Sequence, residues 1–172
     1  MNSTLFLVVR VAHVTAAAIW IGSHIFSYFM LMPAIDAAGP SGGQVMMRIN
    51  RRGIVTYMFS VAMLTLASGL VLYWRFTGGF DQALVTTHSG LAFGFGGTAG
   101  ILAGVIGGAV IGRSAKRMTA IAGQLAALSN NAEKADLVSQ ATAIRQRMRI
   151  GSQLVTLLQV TAITLMAVGH YV

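Results

Sequence analysis

The chain has no cysteine, which rules out disulfides, thiolate ligands and iron–sulfur clusters; any metal would have to be held by His, Met or carboxylate. Acidic residues are nearly as scarce. There are four in 172 residues, and Asp36, Asp81, Glu133 and Asp136 all lie outside the hydrophobic runs, so carboxylate proton relays and acid–base pairs are disfavoured. Charged residues of both signs amount to 9% of the chain against 55% hydrophobic, too little for an ordinary soluble domain. Low-complexity tracts and convincing repeats are missing. Nucleotide-binding glycine loops and nucleophile–base motifs are missing too, because the glycines of the third hydrophobic run lack the strand context such loops need.

What is present is hydrophobic length. Four runs, about residues 5–35, 53–74, 83–111 and 150–172, are each long enough to cross a bilayer, for which about 20 apolar residues suffice. They predict an all-α fold, an integral membrane four-helix bundle forming one domain over residues 1–172. The first run has no basic residue before it, is interrupted by Arg10 and outlasts a signal-peptide core, so it is expected to be retained. Pro33 and the segment Asp36 to Gln44 predict a turn-rich break after it. Residues 113–149 turn polar and basic and predict a helical hairpin that extends spans three and four, broken near Ser129 to Ala135.

The net charge of +8 is distributed unevenly. Ten of the twelve Lys and Arg fall between spans one and two or between spans three and four, leaving only Arg10 and Arg75 toward the other side. The positive-inside rule therefore predicts a multi-pass cell-membrane protein with the hairpin cytoplasmic and both termini extracytoplasmic. In such a chain the basic residues mark cytoplasmic loops and the partner is the lipid bilayer, not nucleic acid. Within span three, Gly96, Gly100, Gly104, Gly108 and Gly112 recur every fourth residue, a spacing that lets helices approach closely and offers a contact for a homo-oligomer.

The first span carries Arg10, His13 and His24 on one face, at spacings of three and eleven residues. Ionisable groups at that depth are costly and mark functional positions or need a partner. At 1.5 Å per residue, His13 comes out roughly 12 Å and Met63 of span two roughly 17 Å from the same membrane face. Haem iron accepts His and Met as axial ligands, and bundle cores hold such cofactors. His13 and Met63 are thus candidate iron ligands, and Arg10 a candidate propionate partner. His88, His170 and His24 rank lower; with His13 and the methionines, His88 and His170 also suit a copper ion. Each residue has a plainer role open to it: a carbonyl hydrogen bond for a histidine, core packing for Met63, snorkelling for Arg10. A structural or assembly subunit built on the glycine ladder is a third expectation.

The segments VVRVAHVTAAAIWIG and RRGIVTYMFSVAMLTLASGLVL resemble the HemJ-type bacterial protoporphyrinogen oxidases and related CopD-like four-helix membrane families. His13 with Trp20, and Met63 with Thr65 and Gly69, stand where that pattern has its first-helix His and Trp and its second-helix Met, Thr and Gly. The resemblance implies a b-type haem with His13 and Met63 as axial ligands, and a redox, electron-transfer or oxidoreductase role with a redox partner. It departs from the pattern at span three, where Ser89 and Gly90 follow His88 with no Lys, and in the long basic hairpin.

Overall fold

The computed structural model describes residues 2–128 and 130–172, without the Pro40 side chain. Ser129, expected at the break of the hairpin, lies outside the described residues. Helix α1 (Ser3–Phe26) starts where the Asn2 side chain accepts the Leu5 N–H. A wide π-type turn, Ser27–Leu31, carries it into α2 (Met32–Ala37). Pro33 does not end the helix: it directly follows the π-type turn, where the hydrogen-bond ladder is already reset and a missing N–H is accommodated. The expected break shrinks to Ala38. Gly39, at φ +56°, turns the chain into α3 (Gly39–Arg51), which is helical where turn residues predicted a loop. Gly42 makes this reversal fit: a Cβ there would stand 1.9 Å from the Ile35 carbonyl oxygen.

Gly53, at φ +83°, closes α3 and leads into α4 (Ile54–Phe76). After a short α5 (Gln82–Val85), α6 (His88–Ile106) begins at a Thr87 cap whose hydroxyl accepts the Gly90 N–H at 3.0 Å. A second π-type segment, Gly107–Gly112, joins α6 to α7 (Arg113–Ala127) without a gap. Helix α8 (Asn131–Val168) runs unbroken for 38 residues. The described residues contain no strand.

Four stretches, Ser3–Ala37, Ile54–Phe76, His88–Ala127 and Asn131–Val168, are long and apolar enough to cross a membrane. Within their most apolar windows only 17–22% of residues are buried. Leu7, Val11, Val14, Phe59, Phe95, Val105 and Leu157 all stand exposed, an outer apolar surface larger than water-soluble monomers display.

The bundle packs most closely as two pairs, α1 with α4 and α6 with α8, and less extensively across the seam between them. Its centre is a layer with one residue from each helix: Trp20, Ala62, Ala103 and Val155, all buried together. Stepping one turn toward the end that carries the termini gives Ala16, Thr65, Ala99 and Gln159, again all buried. A further turn gives His13, Ser68, Gly96 and Ala162; here Ser68 lies 3.3 Å from His13, and Gly96 lies against Ala162. One turn the opposite way from Trp20 lies His24, hydrogen-bonded to Ser152 of α8. The interior is thus a stack of small side chains interrupted by a few polar ones.

Candidate functional site

His13 is fixed by α4. Its Nδ1 donates to the Thr65 carbonyl at 2.9 Å, and because a carbonyl oxygen can only accept, the ring proton is on Nδ1. The Ser68 hydroxyl, which donates back to the Leu64 carbonyl, sets its oxygen 3.3 Å from the same Nδ1. Gly69 makes room for the ring; a Cβ there would lie 2.8 Å from His13 Cε1. The hydrogen bonds made to the ring by the described residues fall on Nδ1, leaving the Nε2 lone pair unengaged. That arrangement, Nδ1 held by a main-chain oxygen with Nε2 available, is how proteins orient an imidazole toward a metal.

Gln159 is the second polar group of this compartment. It is 1% exposed, yet neither its amide nitrogen nor its amide oxygen has a hydrogen-bond partner among the described residues. Burying an amide in this way costs roughly 1–3 kcal/mol on protein mutational scales. It lies in the layer one turn deeper than that of His13, with Ala16, Thr65 and Ala99, all of them buried. Gln159 has no role among those expected from the sequence. A lone amide inside LLQVTAITL was the available signal, since polar residues inside a spanning helix are themselves candidates.

The other predicted residues fall elsewhere. Met63 is 41% exposed on the outside of α4, two residues and so about 200° round the helix from Thr65, which carries His13. The structure does not bring His13 and Met63 together; the α4 methionine packed against the core layer is Met58. Arg10 is exposed, one turn from His13 toward the N-terminus. His24 is 8% exposed and its Nε2 donates to the Ser152 carbonyl at 3.3 Å, so it ties α1 to α8. His88 is exposed at the start of α6. His170 packs edge-on against Phe93, ring centres 5.2 Å apart, near where Ser89 donates to the Val172 carbonyl. Among the described residues no three His, Asp or Glu side chains come together as a metal-binding group, so the copper expectation has no histidine cluster behind it.

The glycine ladder does not form one face. Gly96 meets Ala162 of α8, Gly100 and Gly104 meet Leu66 of α4, and Gly108 has nothing within 4 Å of an added Cβ. A four-residue step turns 400°, so from Gly96 to Gly104 each glycine lies 40° further round the helix than the last, and the π-type segment beyond rotates Gly108 and Gly112 again. Surface recesses of about 310 Å³ beside Gln44, Met47, Arg48 and Arg51, and of about 580 Å³ between α7 and α8, lie at the opposite end and are lined by none of the histidines.

No protein-family model matches the chain, and neither does any curated protein or solved structure.

Proposed function

We propose that the chain is a multi-pass membrane protein that binds a b-type haem through His13 and serves in electron transfer. Its apolar outer surface lies in lipid, its basic hairpin end in the cytoplasm and its termini outside. The observation that carries the cofactor reading is the state of the His13 ring: proton on Nδ1, anchored to the Thr65 carbonyl, with Nε2 free of any hydrogen bond from the described residues. Haem supplies one-electron chemistry by cycling between ferric and ferrous iron. The chain's residues hold and orient it. His13 would hold the iron through Nε2, with Ser68 and the Thr65 carbonyl fixing the ring's direction and raising its basicity, and Arg10 on the same face would pair with a propionate. Met63, on the outside of α4, takes no part.

Absorption spectra of the wild type, His13→Ala and Met63→Leu in both oxidation states test this. A Soret band that His13→Ala abolishes and Met63→Leu leaves in place is the expected result. A colourless wild type after haem-supplemented expression would overturn it.

The carbonyl bonds of His13 and His24 favour a second reading, in which both imidazoles are structural clamps in an assembly subunit. On that reading His13→Ala lowers the melting temperature and leaves cofactor content at zero, as in the wild type.

A further inference from the structure

Arginine gathers at one level of the bundle. In the central layer α4, α6 and α8 contribute Ala62, Ala103 and Val155. Ten residues from each, toward the hairpin, stand Arg52, Arg113 and Arg145, all exposed and about 15 Å from the layer at 1.5 Å per residue. Helix α4 shows what that level is. Its 23 residues are about 35 Å long, enough for the roughly 30 Å hydrocarbon core, and it starts two residues after Arg52. The arginines therefore stand where the spans meet the lipid headgroups. Among the described residues no carboxylate shares their level. Asp36 is sixteen residues from Trp20 and Asp136 nineteen from Val155, which puts them roughly 9 and 13 Å further out. Asp136 accepts the Gln140 amide and Glu133 the Asn130 amide.

Topology alone asks only for positive charge, which lysine supplies as well as arginine. Yet eight of the ten cations at this end are arginine, against Lys116 and Lys134. A guanidinium has a planar fork that meets two oxygens of one phosphate, whereas an ammonium is a point charge. The corner between α3 and α4 gives that chemistry a place. A recess of about 310 Å³ there is lined by Gln44, Met47, Arg48 and Arg51, which form one stripe along α3. Two exposed guanidiniums and an amide supply donors, and Met47 supplies an apolar wall. The Asn50–Thr119 bond holds this end of α3 against α7, whose Lys116 lies one turn nearer the membrane than Thr119. We propose that the recess binds an anionic phospholipid of the cytoplasmic leaflet, its phosphate between Arg48 and Arg51 and its acyl chains in the bilayer beside α4. Basic pockets on the cytoplasmic side of spanning helices seat such headgroups by the same chemistry. This rests on the membrane placement proposed above and not on the haem.

Full-length protein in a neutral detergent is titrated with phosphatidylglycerol or phosphatidylcholine, and bound lipid is counted by native mass spectrometry. Wild type should bind phosphatidylglycerol about tenfold more tightly than phosphatidylcholine. Arg48→Lys with Arg51→Lys keeps the charge and loses the forks, and should lower that preference severalfold. Arg48→Gln with Arg51→Gln should abolish it. Arg145→Gln with Arg147→Gln removes the same charge near the same level of α8 and should leave most of it. All these side chains are exposed, so lipid-free melting curves should match wild type. Equal affinity for the two lipids overturns the proposal. A preference that the α3 and α8 glutamine pairs lower alike also overturns it, because the field of the whole ring would then suffice without a site. Displacement of the lipid by millimolar inorganic phosphate would make the recess a free-anion site and overturn the lipid as its occupant. A chain that enters lipid nanodiscs of neither composition ends the membrane placement and this proposal with it, and that failure is told from the others by the missing reconstitution.

Discussion

Gly69 and His13 compete for one small volume, and the glycine has to yield. A methyl group at Gly69 would lie 2.8 Å from His13 Cε1 and 3.1 Å from Nδ1, pushing the ring off the Thr65 carbonyl. Gly69→Ala is therefore expected to destabilise by about 1–3 kcal/mol, the usual result of overpacking. That outweighs the roughly 1 kcal/mol alanine gains in helix propensity. Gly97 on α6 has nothing within 4 Å of an added Cβ, so Gly97→Ala should be neutral or mildly stabilising. Thermal melts of the two variants in the same detergent check the contrast. Depth along the helix put Met63 near His13, but rotation decides contact, and Met63 faces away from the side occupied by Thr65, Ser68 and Gly69.

Among the elements, α3 departs furthest from its turn-rich sequence. Val45, Met47 and Ile49 stand among Gln44, Arg48, Asn50 and Arg51, and the helix folds back where only glycine fits against the Ile35 backbone. Asn50 then reaches Thr119 of α7 at 3.3 Å, joining α3 to the base of the hairpin. Gly42→Ala cannot be absorbed by a side-chain shift, because the obstructing atoms are main chain. It should free α3 and speed tryptic cleavage at Arg48, Arg51 and Arg52 severalfold, while Gly43→Ala, with nothing within 4 Å, should cleave at the wild-type rate. A peptide map of timed digests decides between these outcomes. The π-type segments Ser27–Leu31 and Gly107–Gly112 each widen the helix locally and so rotate everything beyond them. Side-chain faces read from a regular 3.6-residue period therefore cannot be carried past either one.

For the whole molecule, the orientation proposed from charge can be read out cleanly because the chain has no cysteine of its own. Ser3→Cys, exposed at the start of α1, should react with a membrane-impermeant maleimide added outside intact cells. Gln124→Cys, exposed on α7, should react only after permeabilisation. The reverse pattern would invert the topology, and labelling of both from outside would place the hairpin out of the cytoplasm. Packing as two tight pairs with a looser seam adds a mechanical expectation: a flat ligand enters between the pairs more readily than within one, since the α1/α4 and α6/α8 contacts are the closer ones.

By itself the sequence determined the number of long helices, their apolar character, the uneven placement of basic residues and the standing of His13 as an interior group. These depend on composition and on local periodicity, which any helix of this sequence would share. The polar arms continuing the long helices were legible for the same reason, since residues 113–127 and 131–149 keep good helix formers. The tertiary structure decided which groups meet. It gave His13 the Thr65 carbonyl and Ser68 as partners, turned Met63 outward, spread the glycine ladder over more than one face, and buried Gln159 with neither amide atom paired among the described residues. Those outcomes depend on the rotation of each helix about its axis and on where two widened turns reset it, and neither is set by residues close together in the chain.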